Sequence, residues 1–139
     1  MGCGASSSSA SSGSMKPITI EYFAVSGRAE SIKFLLASKK CEFTHKEISQ
    51  EEWPALKGTK GYESGSLPII VMNDMRFHET NAILRMLGIK LGYYDPKDAN
   101  CSHWNDCIMD KANDALGAGM GKIIPFLKNK DMDSACKEM

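Results

Sequence analysis

Tyr22 closes the run Ile18-Thr19-Ile20-Glu21-Tyr22, in which apolar and polar residues alternate. A phenol hydroxyl at the end of a strand can donate a hydrogen bond to an anion, a thiolate included, hold it and lower the pKa of its conjugate acid. Taken alone, such a tyrosine serves equally to bury its ring and wet its hydroxyl. Thr80 offers a second hydroxyl where a helix opens, and the free N–H groups and positive dipole end of a helix N-terminus accept a carboxylate. On local features Thr80 reads first as an N-cap. Lys57 brings an ammonium that pairs with a carboxylate, and Trp53 an indole N–H that is a directed donor, although a single lysine is more often a solvated surface charge. The chemistry these groups share is the holding of a small anionic molecule. Cysteines stand at 3, 41, 101, 107 and 136, an odd number without a CxxC pair, and histidines number three. A disulfide framework or a zinc site is therefore not expected, and no metal is assigned. A reducing, cytoplasmic setting is the default.

The elements that must hold these groups follow from periodicity. Residues 16–23 read as a strand by alternation and β-branched content. Ser26-Gly27 breaks it, and 28–38 reads as a helix with Ala29, Ile32, Leu35 and Leu36 on one face and Glu30 in the first turn. Residues 41–48 read as a second strand. A strand–helix–strand of this length implies a parallel pair joined by a right-handed crossover. Residues 67–72 are a short, nearly continuous apolar run, as in a strand buried on both faces, with Pro68 at its first position. Asn73-Asp74 is a turn pair, and 75–77 returns as the second strand of a hairpin. Glu79 and Thr80 then open a helix whose apolar face is Ala82, Ile83, Met86 and Leu87, with Gly88 at the expected stop. The order β-α-β-β-β-α with a mixed sheet is that of the α/β thioredoxin-like fold. A dithiol oxidoreductase needs a cysteine just after its first strand. Ala24-Val25-Ser26-Gly27 has none, so dithiol redox chemistry is disfavoured.

Several motifs in this order resemble the glutathione transferase family, in particular its tyrosine-type, sigma-like classes. They are Ile20-Glu21-Tyr22-Phe23 followed by Gly27-Arg28-Ala29-Glu30, then Leu67-Pro68 before the hairpin, then Glu79-Thr80-Asn81-Ala82-Ile83-Leu84 after it. The resemblance implies glutathione as substrate and a small electrophile as its partner in reaction. It places Tyr22 as the catalytic hydroxyl, a cis bond at Pro68, the γ-glutamyl part on Glu79 and Thr80, and the peptide backbone on that of Leu67. Gln50-Glu51-Glu52-Trp53-Pro54-Ala55-Leu56-Lys57 is similar to the family's second-helix segment, which puts Trp53 and Lys57 at the glycine end of glutathione. Two departures stand out. Ser26 lies where the family often has arginine, so thiol activation is weakened or Ser26 shares the hydrogen bond. The Gly-rich loop 58–66 is longer than the family's, and Ser66-Leu67 takes the place of a polar contact just before the proline.

The chain has 139 residues. Its organisation reads as a flexible Ser-rich arm at 1–15, the thioredoxin-like domain at 16–90, a linker at 91–96 rich in turn residues, and a helical region at 97–139. Within the last, 100–116 reads as a helix with Trp104, Ile108, Ala112 and Ala115 on one stripe. Asp106, Asp110 and Asp114 lie on another, a solvated face by default. Gly117, Gly119 and Gly121 then weaken the helix. The resemblance implies that this is an incomplete all-helical C-terminal domain and that Asp114 matches an acid reaching across a homodimer to the glutathione amine. An apolar face left open by missing helices would then await a protein partner. Gly2 and Ser6 fit N-myristoylation, and Cys3 beside Gly2 is placed for palmitate; two acyl chains would tether the chain to the cytoplasmic face of a membrane. Basic and acidic residues balance at 17 each, which argues against a nucleic-acid phosphate binder. Three readings follow: a transferase, a non-catalytic binding or assembly module on the same fold, and a membrane-tethered adaptor.

Overall fold

The computed structural model describes residues 17–128. The lipidation sites Gly2 and Cys3 lie outside the described residues. The element order is β1 Ile18–Tyr22, α1 Glu30–Ser38, β2 Phe43–Glu47, α2 Trp53–Leu56, β3 Ile69–Met72, β4 Met75–Phe77, α3 Thr80–Leu91 and α4 Ala99–Lys128. The strands form one sheet in the order β2-β1-β3-β4. β1 pairs in parallel with β2, and antiparallel pairing joins β1 to β3 and β3 to β4. This is the mixed thioredoxin-like sheet that the alternation in β1 and the apolar run of β3 predict.

Each local element has a local cause. Asn73 and Asp74 both take positive φ, 53° and 61°, the twist a two-residue hairpin turn needs, and Met72 then faces Met75 in register. Ile18 and Ile20 of β1, Ile32 and Leu36 of α1, Ile69, Ile70 and Met72 of β3, and Ile83 and Leu87 of α3 belong to one buried cluster. At about 25 cal/mol per Å² of apolar area removed from water, that cluster is the main stabilising term.

Two helix ends differ from the sequence reading. Gly88 does not stop α3; it lies buried inside it. A side chain there would meet the Tyr94 Cβ at 3.1 Å, and the amides of Tyr93 and Tyr94 both donate to the Gly88 carbonyl, at 2.8 and 3.1 Å. The stop is Gly92, in the left-handed conformation at φ 77°. Likewise α4 does not end at Leu116. Asp98 opens it by accepting from the amides of Asn100 and Cys101 through Oδ1, at 2.9 and 3.1 Å. The helix then runs through Gly117, Gly119 and Gly121 to Lys128. Each glycine costs a helix about 1 kcal/mol, yet it keeps its N–H and makes no clash, so the ladder continues. The chain divides into two compact units between Ser102 and His103. In the second, Trp104 and Ile108 are 65% and 67% exposed, so the stripe read from the sequence is unburied.

Candidate ligand-binding site

A pocket opens where β3 begins and α3 begins, lined by Arg28, Ser66, Leu67, Pro68, Glu79 and Thr80. The Leu67–Pro68 bond is cis. Glu79 is the N-cap of α3 and takes φ 66°, ψ 112°, and no side chain caps the helix. Thr80 is thus the first helical residue and not the cap. A glutamate with positive φ is a local cost that the surroundings must hold in place, and Ser66 does so in part, its Oγ donating to Glu79 Oε1 at 3.3 Å. Beside it Ser64 Oγ meets His78 Nδ1 at 2.9 Å. The corner, with Arg28 on its wall, therefore combines a helix N-terminus without a side-chain cap, a carboxylate and a hydroxyl, a set suited to a molecule carrying both carboxylate and amine groups.

Tyr22 ends β1 with its ring buried, and its hydroxyl accepts a hydrogen bond from the Arg28 amide at 3.1 Å. That bond draws charge from the oxygen and leaves the O–H proton as the group's own donor. Arg28 thus joins the tyrosine hydroxyl to the pocket. A Cβ at Gly27 would stand 2.7 Å from that hydroxyl oxygen, so only glycine lets the phenol sit there.

Trp53 opens the short α2 and is half-buried. Its ring makes edge contacts with Phe23 and Tyr62, each at 6.0 Å between centroids, and Phe23 in turn meets Tyr22 at 5.7 Å. Lys57 follows α2, exposed, with its stem across Gly65: a Cβ at Gly65 would lie 3.3 Å from Lys57 Cε. Gly65 directly precedes Ser66 of the pocket. Leu67, Pro68, Glu79 and Thr80 thus share one pocket, Tyr22 adjoins it through Arg28, and Lys57 approaches its edge. Trp53 is held in an aromatic row and is not among the lining residues. Asp114 lies in the second unit, exposed, 3.8 Å from Lys111.

Residues 18–88 match the family model for the N-terminal domain of glutathione S-transferase. The chain belongs to the glutathione S-transferase family. Glutathione S-transferase P of Bos taurus is 35% identical over 104 residues, which is 73% of this chain and 46% of that protein. Glutathione S-transferase P 1 of Xenopus laevis is 32% identical over 127 residues, 90% of this chain and 59% of that protein. The chain therefore spans about half the length of the curated relatives it matches. Among solved structures, the Pi-class glutathione S-transferase of Onchocerca volvulus aligns with a TM-score of 0.69 at 22% identity, covering 76% of this chain and 50% of that one. A C. elegans glutathione S-transferase aligns with a TM-score of 0.64 at 22% identity, covering 80% and 51%. At that identity the structures show the shared fold.

As a glutathione S-transferase family member, the chain carries one pocket residue that the sequence reading did not single out. Arg28 was visible only as part of the Gly27-Arg28-Ala29-Glu30 motif. The available signal was a basic residue where a strand turns into a helix, a position from which its backbone can reach back to the strand's last side chain. Ser66, which stands in the place of a polar contact before the proline, lines the pocket and turns its hydroxyl to Glu79.

Proposed function

We propose that the chain binds glutathione in the corner between Pro68 and Thr80 and, in its transferase reading, uses Tyr22 to hold the thiolate for attack on a small electrophile. The observation that carries this is the Arg28 amide bonded to the Tyr22 hydroxyl at 3.1 Å while Arg28 also lines the pocket. That link supports reading the hydroxyl donor and the binding corner as one site. In this reading Thr80 and the α3 amides receive the γ-glutamyl carboxylate, Glu79 receives the amine, and the Leu67 backbone pairs with the cysteinyl peptide. Lys57 and Trp53 hold the glycine end, with Asp114 as a further contact to the amine from a second copy. The sigma-like subclass is part of the same proposal. The Tyr22 hydroxyl stabilises the thiolate more as it begins to attack than in the bound thiol, which is where transition-state binding lowers a barrier.

The test is calorimetric titration with glutathione and turnover of a generic electrophile, on this chain and on Tyr22→Phe. The expected outcome is unchanged affinity for glutathione and a rate about a hundredfold lower in Tyr22→Phe. Equal rates in both would remove Tyr22 from the chemistry. Binding without turnover in the wild type would favour the non-catalytic module, and no binding would leave the chain with the fold alone.

A further inference from the structure

One residue before Tyr22, on the opposite face of β1, lies the carboxylate of Glu21, 3% exposed. A covered sheet face ordinarily takes an apolar residue there. Donors from β2, β4 and the loop 58–66 converge on it. Lys46 of β2 donates from Nζ to Oε1 at 3.2 Å, the Tyr62 hydroxyl donates to Oε2 at 2.8 Å, and the guanidinium of Arg76 on β4 bonds Oε2. Arg76 also donates from Nε to the Gly61 carbonyl at 2.9 Å and lies over the Tyr62 ring, 4.8 Å from its centroid. The loop's internal bonds run through the same residue. The amides of Gly58 and Gly65 both donate to the Tyr62 carbonyl, at 3.1 and 2.9 Å, and the Tyr62 amide donates to the Thr59 carbonyl at 2.9 Å. Downstream the loop passes into Ser66 and Leu67 of the pocket, and the Tyr62 ring backs the Trp53 indole.

We propose that Glu21 is a positioning residue: it fixes Tyr62, and through Tyr62 both the Trp53 ring and the Ser66–Leu67 edge of the pocket, so that the corner stands formed before its ligand arrives. A buried carboxylate is tolerated only when its oxygens are satisfied, and satisfying them here ties the loop to two strands. Directed hydrogen bonds set a position that an apolar contact of the same size would leave free to slide. The binding arm of the test rests on the glutathione reading; the loop arm does not.

Tyr62→Phe removes one hydrogen bond and keeps the ring, and Glu21→Gln removes the charge at nearly constant shape. In the ligand-free chain, amide hydrogen exchange at Gly58, Tyr62 and Gly65 should speed up about tenfold or more in either variant, with the β1 and β3 amides unchanged. In glutathione titrations each variant should raise Kd roughly fivefold, and the double variant little further, because the two residues act as one unit. Unchanged exchange in the loop overturns the proposal whatever the ligand. So does a uniform loss of protection across the strands, which marks a merely structural role, or a freed loop with an unchanged Kd. A wild-type chain that fails to bind glutathione sinks the glutathione reading separately, and the exchange measurement still decides whether Glu21 fixes the loop.

Discussion

Tyr22 illustrates how far a single residue's chemistry depends on its neighbour's size. Its hydroxyl has room because position 27 has no side chain, and the oxygen lies 2.7 Å from where a Cβ would be. The ring is buried, so it has little lateral slack. Gly27→Ala is thus a variant in which the phenol is present but displaced. If placement matters as much as identity, Gly27→Ala should lower turnover about tenfold or more while the glutathione Kd changes little. Parallel kinetics and calorimetry check this, and an alanine variant with wild-type turnover would show that the hydroxyl tolerates movement.

At the scale of elements, β2 carries a conspicuous imperfection. His45 Nε2 is the buried side-chain nitrogen or oxygen that lacks a hydrogen-bond partner among the described residues. His45 sits opposite Ile20 in the parallel register and shares its face of the sheet. Exchanging it for an apolar side chain removes the unsatisfied nitrogen, and His45→Leu should stabilise the domain by about 1 kcal/mol in denaturant titrations. The elements themselves were legible because each has a short-range signature: alternation in β1, an apolar run in β3, a turn pair at 73–74 and a 3.6-residue face in α3. The ends were less so. Whether Gly88 or Gly92 stops α3 depends on Tyr94 folding back over the helix, a contact between residues that no periodicity reports. α4 runs past the glycines at 117, 119 and 121 because glycine weakens a helix without breaking it. The pocket was legible at Leu67, Pro68, Glu79 and Thr80, which adjoin the cis bond and a helix start. Arg28 escaped because its part is played by a backbone amide, which any residue type could supply. The Glu21 cluster escaped because its members, at 21, 46, 62 and 76, are separated by loops and meet only when the sheet is assembled.

For the molecule as a whole, that cluster predicts a response to acid. Burial alone pushes the Glu21 carboxyl up, but hydrogen bonds from Tyr62, Arg76 and Lys46 outweigh it, and the group titrates below its ordinary 4.5. A carboxyl depressed in the folded state contributes stability that is present above the unfolded pKa and is lost as pH falls through the folded one. Thermal unfolding from neutral to acid pH should therefore show the wild type above Glu21→Gln in Tm, with the gap closing below about pH 4. A gap that persists unchanged to about pH 2.5 would assign the difference to shape instead of charge. The sheet order has one more consequence. β2 and β4 are the open edges, and an open edge is a template on which other chains can pair into aggregates. β4 is three residues long, and β2 exposes Thr44, Lys46 and Glu47 along its length. Lys46 thus keeps a charge on the rim while neutralising a carboxylate in the next strand, so the pair that holds Glu21 also makes the β2 edge a poor template for a further strand.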